Sequence, residues 1–160
     1  MQMKHILNQK LKRLEPLDTL CYYCECEQAE SMNDNCFMPI YREDDRTNIV
    51  VYRSVKFKKI DIGIPRCAKC KAIHENATEK AQIFIPLSAV ALVVISFLIW
   101  REWGIISLLP GICIGFLGIP VLENKLVRKK GIFTKKDGAE RSETIQEMVL
   151  QGWTLDRPSA

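Results

Sequence analysis

The chain has 160 residues, 48% of them hydrophobic and 26% charged, with seven cysteines and a net charge of +4. That length allows one domain or two small ones, and the charge is too weak to suggest a nucleic-acid partner, since residues 1–82 and 123–160 each carry a surplus of only +2. An odd number of cysteines, one of them in an apolar stretch, argues against a full disulfide framework.

The polar N-terminus has no apolar h-region, so no cleavable signal peptide is expected. Residues 1–16 read as an amphipathic helix. Met3, Ile6, Leu7, Leu11 and Leu14 recur at helical spacing, with Lys4, Lys10, Lys12 and Arg13 among them, and Pro16 should end it. Such a helix either packs on its own domain or lies on a membrane surface.

Residues 17–80 form a cysteine-rich unit. Cys36–Arg42 and Ile49–Pro65 have strand character, carried by Val50, Val51, Tyr52, Val55, Phe57, Ile60, Ile62 and Ile64. The polar run Glu43–Asn48 reads as the turn of a hairpin. A change of phase between Phe57 and Ile60 predicts a bulge or a break there. From Ala68 to Lys80 the pattern turns helical.

Residues 81–124 are predicted to be a membrane hairpin with spans at 83–100 and 104–122. Each span is uncharged and close to the roughly 20 residues that a bilayer core requires. Only Arg101, Glu102 and Trp103 separate them, and Trp100 and Trp103 suit a water–lipid boundary. Lys and Arg concentrate on the outer flanks: Arg66, Lys69, Lys71 and Lys80 before, and Lys125, Arg128, Lys129, Lys130, Lys135 and Lys136 after. This bias predicts both termini in the cytoplasm and the spans in the inner, cytoplasmic membrane. Gly104, Ser107, Gly111, Gly115 and Gly118 form a small-residue seam with a GxxxG pair at Gly111 and Gly115. The seam is expected to pack on the first span, near Ala89 and Ser96, or to serve self-association. Pro110 and Pro120 should bend the second span or mark its end.

Residues 125–160 read as a basic cytoplasmic tail with a short helix at 144–151. Thr144 and Glu147 have capping-box spacing, Ile145, Met148 and Val149 share a face, and Gly152 followed by Trp153 fits a left-handed C-terminal cap.

The chemistry lies in Cys21-x-x-Cys24 and Cys67-x-x-Cys70. Two such knuckles supply four thiolates in a tetrahedron, which Zn²⁺ accepts in closed structural sites, and a cytoplasmic setting keeps the thiols reduced. The 42 residues between the knuckles accommodate an inserted β-hairpin. Iron fits the same donors, but rubredoxin-like knuckles usually carry Gly after the second Cys, where Glu25 and Lys71 stand here. Cys26 could replace Cys24. Cys36 reads as a buried apolar residue more than as a ligand, His74 as a surface helix residue or else a fourth ligand beside three thiolates, and Cys113 as packing in the second span. Four thiolates leave a metal no open position, and no acid–base pair or phosphate loop accompanies them, so an enzyme is not expected.

The segments Leu17–Cys24, Met38–Tyr41, Ile64–His74 and Ile145–Trp153 together resemble uncharacterised bacterial two-pass membrane proteins with an N-terminal CxxC…CxxC zinc-ribbon-like domain. The resemblance covers nearly all of the chain after residue 16 and implies the architecture, but no activity. The expected fold class is α+β: a small β-rich zinc ribbon, a two-helix transmembrane hairpin and short flanking amphipathic helices. The expected function is that of a membrane-anchored binding or adaptor module for a protein partner or a second copy. Its binding surface would be the hairpin with Tyr41, Tyr52, Arg53 and the Lys56, Lys58 and Lys59 cluster. The alternative is a protein that responds to redox state or metal through thiolate-bound iron or its spare thiols.

Overall fold

The structure, a computed structural model, describes residues 5–49, 52–100 and 107–159. The fold is mixed α+β, with a four-stranded sheet and two long apolar helices. In chain order the elements are β1 (His5–Asn8), β2 (Arg13–Pro16), a 3-10 turn at Met32–Asp34, β3 (Cys36–Ile49), β4 (Tyr52–Ile64), α1 (Ala68–Trp100), α2 (Leu108–Lys129), α3 (Lys135–Glu140) and α4 (Glu143–Leu150). They fall into two compact units: Met1–Lys71 together with Lys135–Ala160, and Ala72–Thr134.

The first unit is built on a sheet of order β1-β2-β4-β3, antiparallel except for the parallel β2–β4 pair. The N-terminal segment is therefore a β-hairpin and not the helix that its leucine spacing suggests. Asn8 explains the reversal: its side-chain Oδ1 accepts the Leu11 N–H at 3.2 Å, and Lys12 takes a left-handed φ of 49°, so the chain turns where a helix would continue. The pairing of Arg13 and Leu14 with Asp61 and Ile62 then fixes β2 in the sheet.

The expected β3–β4 hairpin forms, but it is longer than its composition suggests. Residues 43–48 lie within β3, whose pairing with β4 runs on to Ile49 and Tyr52, so the polar run is strand and not turn. The register shift sits between Glu43 and Asp45, across from Phe57 and Lys56. Between Phe57 and Ile60 the pairing is regular, so the bulge or break expected there does not form. Side-chain alternation places Met38, Ile40, Ile62 and Ile64 on one face, where the three isoleucines are buried. On the other face Gly63 has no room for a side chain: a Cβ there would lie 2.8 Å from both Phe37 Cε1 and Pro16 Cδ. Arg13 stacks over the Phe37 ring at 4.1 Å.

The C-terminal segment returns to this sheet. Ile145 of α4 and Trp153 are buried, and Arg42, on the Ile40 face, lies 5.7 Å from the Trp153 ring. Thr154 exchanges two backbone hydrogen bonds with Tyr41, at 2.7 and 2.8 Å, and Arg157 reaches the Phe57 ring on the opposite face. α4 ends as predicted: Gly152 has φ +87°, Gly152 N–H donates to Val149 O, and Trp153 N–H donates to Met148 O. Its start differs from the expected capping box. Ser142 is the N-cap, and the Thr144 hydroxyl meets His5 Nδ1 at 3.1 Å.

The second unit contains most of α1 and all of α2. A Cβ added at Gly118 would lie 3.1 Å from Ile85, and one at Gly111 would lie 3.0 Å from Val93, so these glycines let the antiparallel helices approach. Gly115 faces open space, and the seam therefore splits: Gly111 and Gly118, seven residues apart, face α1, while Gly115 does not. Gly104 lies outside the described residues, as do Arg101, Glu102 and Trp103 of the expected turn. Pro110 stands in the first turn of α2, where its missing N–H costs nothing, and α2 continues through Pro120 to Lys129. The Thr78 hydroxyl lies 2.9 Å from both a Glu123 carboxylate oxygen and the His74 carbonyl oxygen and shares its proton between them, tying the polar ends of the two helices together.

Both helices are long and apolar enough to cross a membrane. Only 6% and 11% of their apolar windows is buried, whereas the core helix of a soluble domain would be mostly covered. Phe84, Leu98, Phe116 and Leu117 are among the exposed side chains.

Candidate metal centre

The four cysteines come from two different backbone settings. Cys21 and Cys24 sit in a turn closed by Glu25 N–H donating to Cys21 O at 2.9 Å and Cys21 N–H donating to Glu27 O at 3.0 Å. Glu25 follows the second cysteine and takes φ 59°, a left-handed conformation that glycine adopts more easily. Its carboxylate pairs with Arg141, just after α3. Cys67 immediately precedes α1, and Cys70 lies in its first turn, so the second knuckle is the start of a helix. β3 and β4 bring this second pair back to the first.

All four Sγ atoms lie within 4.8 Å of one another, and Cys24 and Cys67 are 3.9 Å apart. Thiolates bound tetrahedrally at about 2.3 Å from a zinc ion stand about 3.8 Å apart, so the cluster is close enough to hold a metal. Cys21, Cys67 and Cys70 are buried and Cys24 is half-buried. Backbone amides serve the sulfurs: Cys70 N–H points at Cys67 Sγ at 3.4 Å, and those of Cys26 and Glu27 donate to Cys24. Lys69 pairs with Glu27 at 3.1 Å, joining the two knuckles at the surface.

The electrostatics are uneven. Burial raises the Cys67 thiol to about 11 and pushes Cys70 further up. Burial also acts to raise Cys24, but the Cys26 and Glu27 amides and the neighbouring thiols favour its thiolate and draw it down to about 7. Without a cation, Cys24 therefore gives up its proton more readily than Cys67 or Cys70. A bound dication would reverse this, because every ligand sulfur must be deprotonated.

The other candidates lie outside this group. Cys26 is exposed, with its thiol 2.9 Å from the Cys24 carbonyl oxygen, and Cys36 begins β3. His74 is fully buried, contrary to its reading as a surface residue. Its Nε2 is 3.0 Å from the Phe133 carbonyl, a partner 59 positions away that no local pattern reveals.

Three contributors are not visible in the cysteine pattern. Tyr23, between the first two ligands, is fully buried, and Gly138 of α3 presses on its ring: a Cβ there would lie 2.6 Å from Cδ1. Arg141 holds the strained Glu25. The one available signal was a glycine in a six-residue helix, where a packing reason is the usual cause.

In comparisons with known proteins, no family model, curated protein or solved structure matches the chain.

Proposed function

We propose that this chain is a membrane-anchored binding module in which a zinc ion, held by Cys21, Cys24, Cys67 and Cys70, stiffens a ribbon-like β unit too small to be stable on its own core. The observation that carries this reading is the joining of residues on both sides of the apolar helices into one folded unit. If α1 and α2 both cross a bilayer, the chain must return to the side it left, as a two-pass hairpin does. The surplus of Lys and Arg on the flanks puts that side in the cytoplasm. There the thiols stay reduced and available to metal.

Four thiolates fill a zinc ion's tetrahedron, so the metal organises structure and the module acts by binding. The hairpin charges are a poor recognition surface, since Lys58 pairs with Asp44 and Lys59 with Asp61. A better one is an open groove of about 600 Å³ on α4, lined by Ile145, Val149, Leu150 and Trp153 and rimmed by Lys136, Glu140 and Asp156. Leu150 is 89% exposed there, as an anchor point for an apolar partner segment would be.

The test is metal analysis and an absorption spectrum of the detergent-purified chain, alongside a Cys67→Ser/Cys70→Ser variant. The expected result is one zinc per chain, no colour, and loss of the metal in the variant. Metal-free protein would overturn the reading. Thiolate-bound iron is the second reading, since the same four sulfurs accept it; a visible charge-transfer band would establish it. For the binding role, a stoichiometric partner recovered from membranes should be lost on Leu150→Asp. Recovery of the chain alone under gentle detergent counts against an adaptor.

A further inference from the structure

The β1–β2 hairpin presents an unusual surface for an edge of a small sheet. Ile6, Leu7 and Leu11 are 57%, 53% and 56% exposed. Ile6 and Leu7 point to opposite faces of β1, and Leu11 stands in the turn between Lys10 and Lys12. Both lysines are exposed and make no ion pair among the described residues. From His5 to Leu14 the chain has no acidic residue, and the first carboxylate, Glu15, is held by Arg13 at 2.8 Å. The turn is thus an apolar tip flanked by two unneutralised cations.

We infer that this tip docks on the anionic lipid headgroups of the bilayer that anchors the chain, with Leu11 entering the interface and Lys10 and Lys12 meeting phosphates. The inference rests on the anchoring reading above. Charge complementarity selects the occupant: an isolated leucine between lysines suits a surface that is negative outside and apolar just beneath, and long lysine side chains can reach the headgroups as the leucine enters. A protein groove would need a wider apolar face, and the exposed leucines and isoleucine here do not share one. Tethering favours the contact further. Only 12 positions separate Lys71, the last residue of the first segment of this unit, from Ile83, where the uncharged run begins. The hairpin is therefore held at high effective concentration near the surface, and a weak interfacial contact is enough to populate the docked state.

The experiment uses the full chain in nanodiscs of phosphatidylcholine with about one-third phosphatidylglycerol, part of it carrying a photoactivatable diazirine near the headgroup. Crosslinked positions are mapped after pepsin digestion. The expected result is lipid adduct on the peptide spanning Lys10–Lys12. It should fall at least five-fold in a Lys10→Glu/Leu11→Ser/Lys12→Glu variant that keeps its metal content, and in nanodiscs whose only charged lipid is the trace of probe. Adducts on α1 and α2 without any on the hairpin would overturn this inference and leave the anchoring intact. Absence of adducts on all three would overturn both. Hairpin labelling unchanged in the triple variant would also refute the contact as described.

Discussion

Cys24 and Cys67 differ in their ease of ionisation although their sulfurs nearly touch, and the difference has a consequence for the metal-free protein. Cys24 sits at about 7, below an ordinary thiol at about 9, so folding is favoured progressively as pH rises from 7 to 9 and the folded chain carries the thiolate that the unfolded chain does not yet have. Cys67, at about 11, and Cys70, higher still, do the opposite. Above pH 9 the unfolded chain loses protons that the folded chain retains, and stability falls. Chemical denaturation of the metal-stripped chain should therefore show a maximum between pH 7 and 9 and a decline above it. The metal-loaded chain should show the reverse sensitivity, releasing its ion on acidification as protons compete for the sulfurs. A flat profile for the stripped chain between pH 7 and 11 would refute this account.

At the scale of elements, two glycines make tests that their neighbours control. Gly138→Ala forces a methyl group into the Tyr23 ring and should cost about 1–3 kcal/mol in stability, read as a lower denaturation midpoint, while Gly131→Ala, at an exposed φ of +74° with open space around it, should cost about 1 kcal/mol through backbone strain alone. In the helical pair, Gly118→Leu collides with Ile85 and should disrupt the packing of α1 on α2, whereas Gly115→Leu should be tolerated. Thermal stability in detergent would separate them, and equal losses would mean that Gly115 is covered by something, a second copy being the first to test. Elements set by local pattern were legible in the sequence: the β-branched run of β4, the uncharged stretches within α1 and α2, the glycine cap of α4. The β1–β2 hairpin was not, because five apolar residues happened to satisfy helical spacing, and the deciding interactions, the Asn8 side chain on Leu11 N–H and the pairing with Asp61 and Ile62, are respectively a subtle turn signal and a contact nearly fifty residues away. The cysteine cluster was legible because four sulfurs at knuckle spacing have few other uses. Gly138 and Arg141 were not, since they reach the site only by folding back from the far end of the chain.

At the scale of the whole molecule, the cysteine-bearing unit is held from two sides. Cys67 and Cys70 close it at the start of α1, while α3, Arg141 and the Tyr41–Thr154 pairing hold the C-terminal segment on it. If the cluster holds an ion as proposed, removing it should loosen both. Chelation is expected to accelerate tryptic cleavage after Lys136 and Arg141 by an order of magnitude or more while leaving α1 and α2 resistant in detergent. Cleavage rates indifferent to chelator would show that the segment is held without the metal.

The discontinuity of that unit also constrains how the protein is made. A ribosome delivers residues 5–71 first, with all four sulfurs and both long strands, then some sixty residues that belong to the other unit, and only at the end the pieces carrying Gly138, Arg141 and Trp153. The nascent cysteine-bearing unit must therefore wait, without the partners of Tyr23 and Arg42, until the apolar pair and then the tail have been synthesised. If α1 and α2 cross a bilayer as proposed, a chain whose tail is stranded on the far side would leave that unit unfinished and open to proteases, and completion of the fold would report that insertion has succeeded.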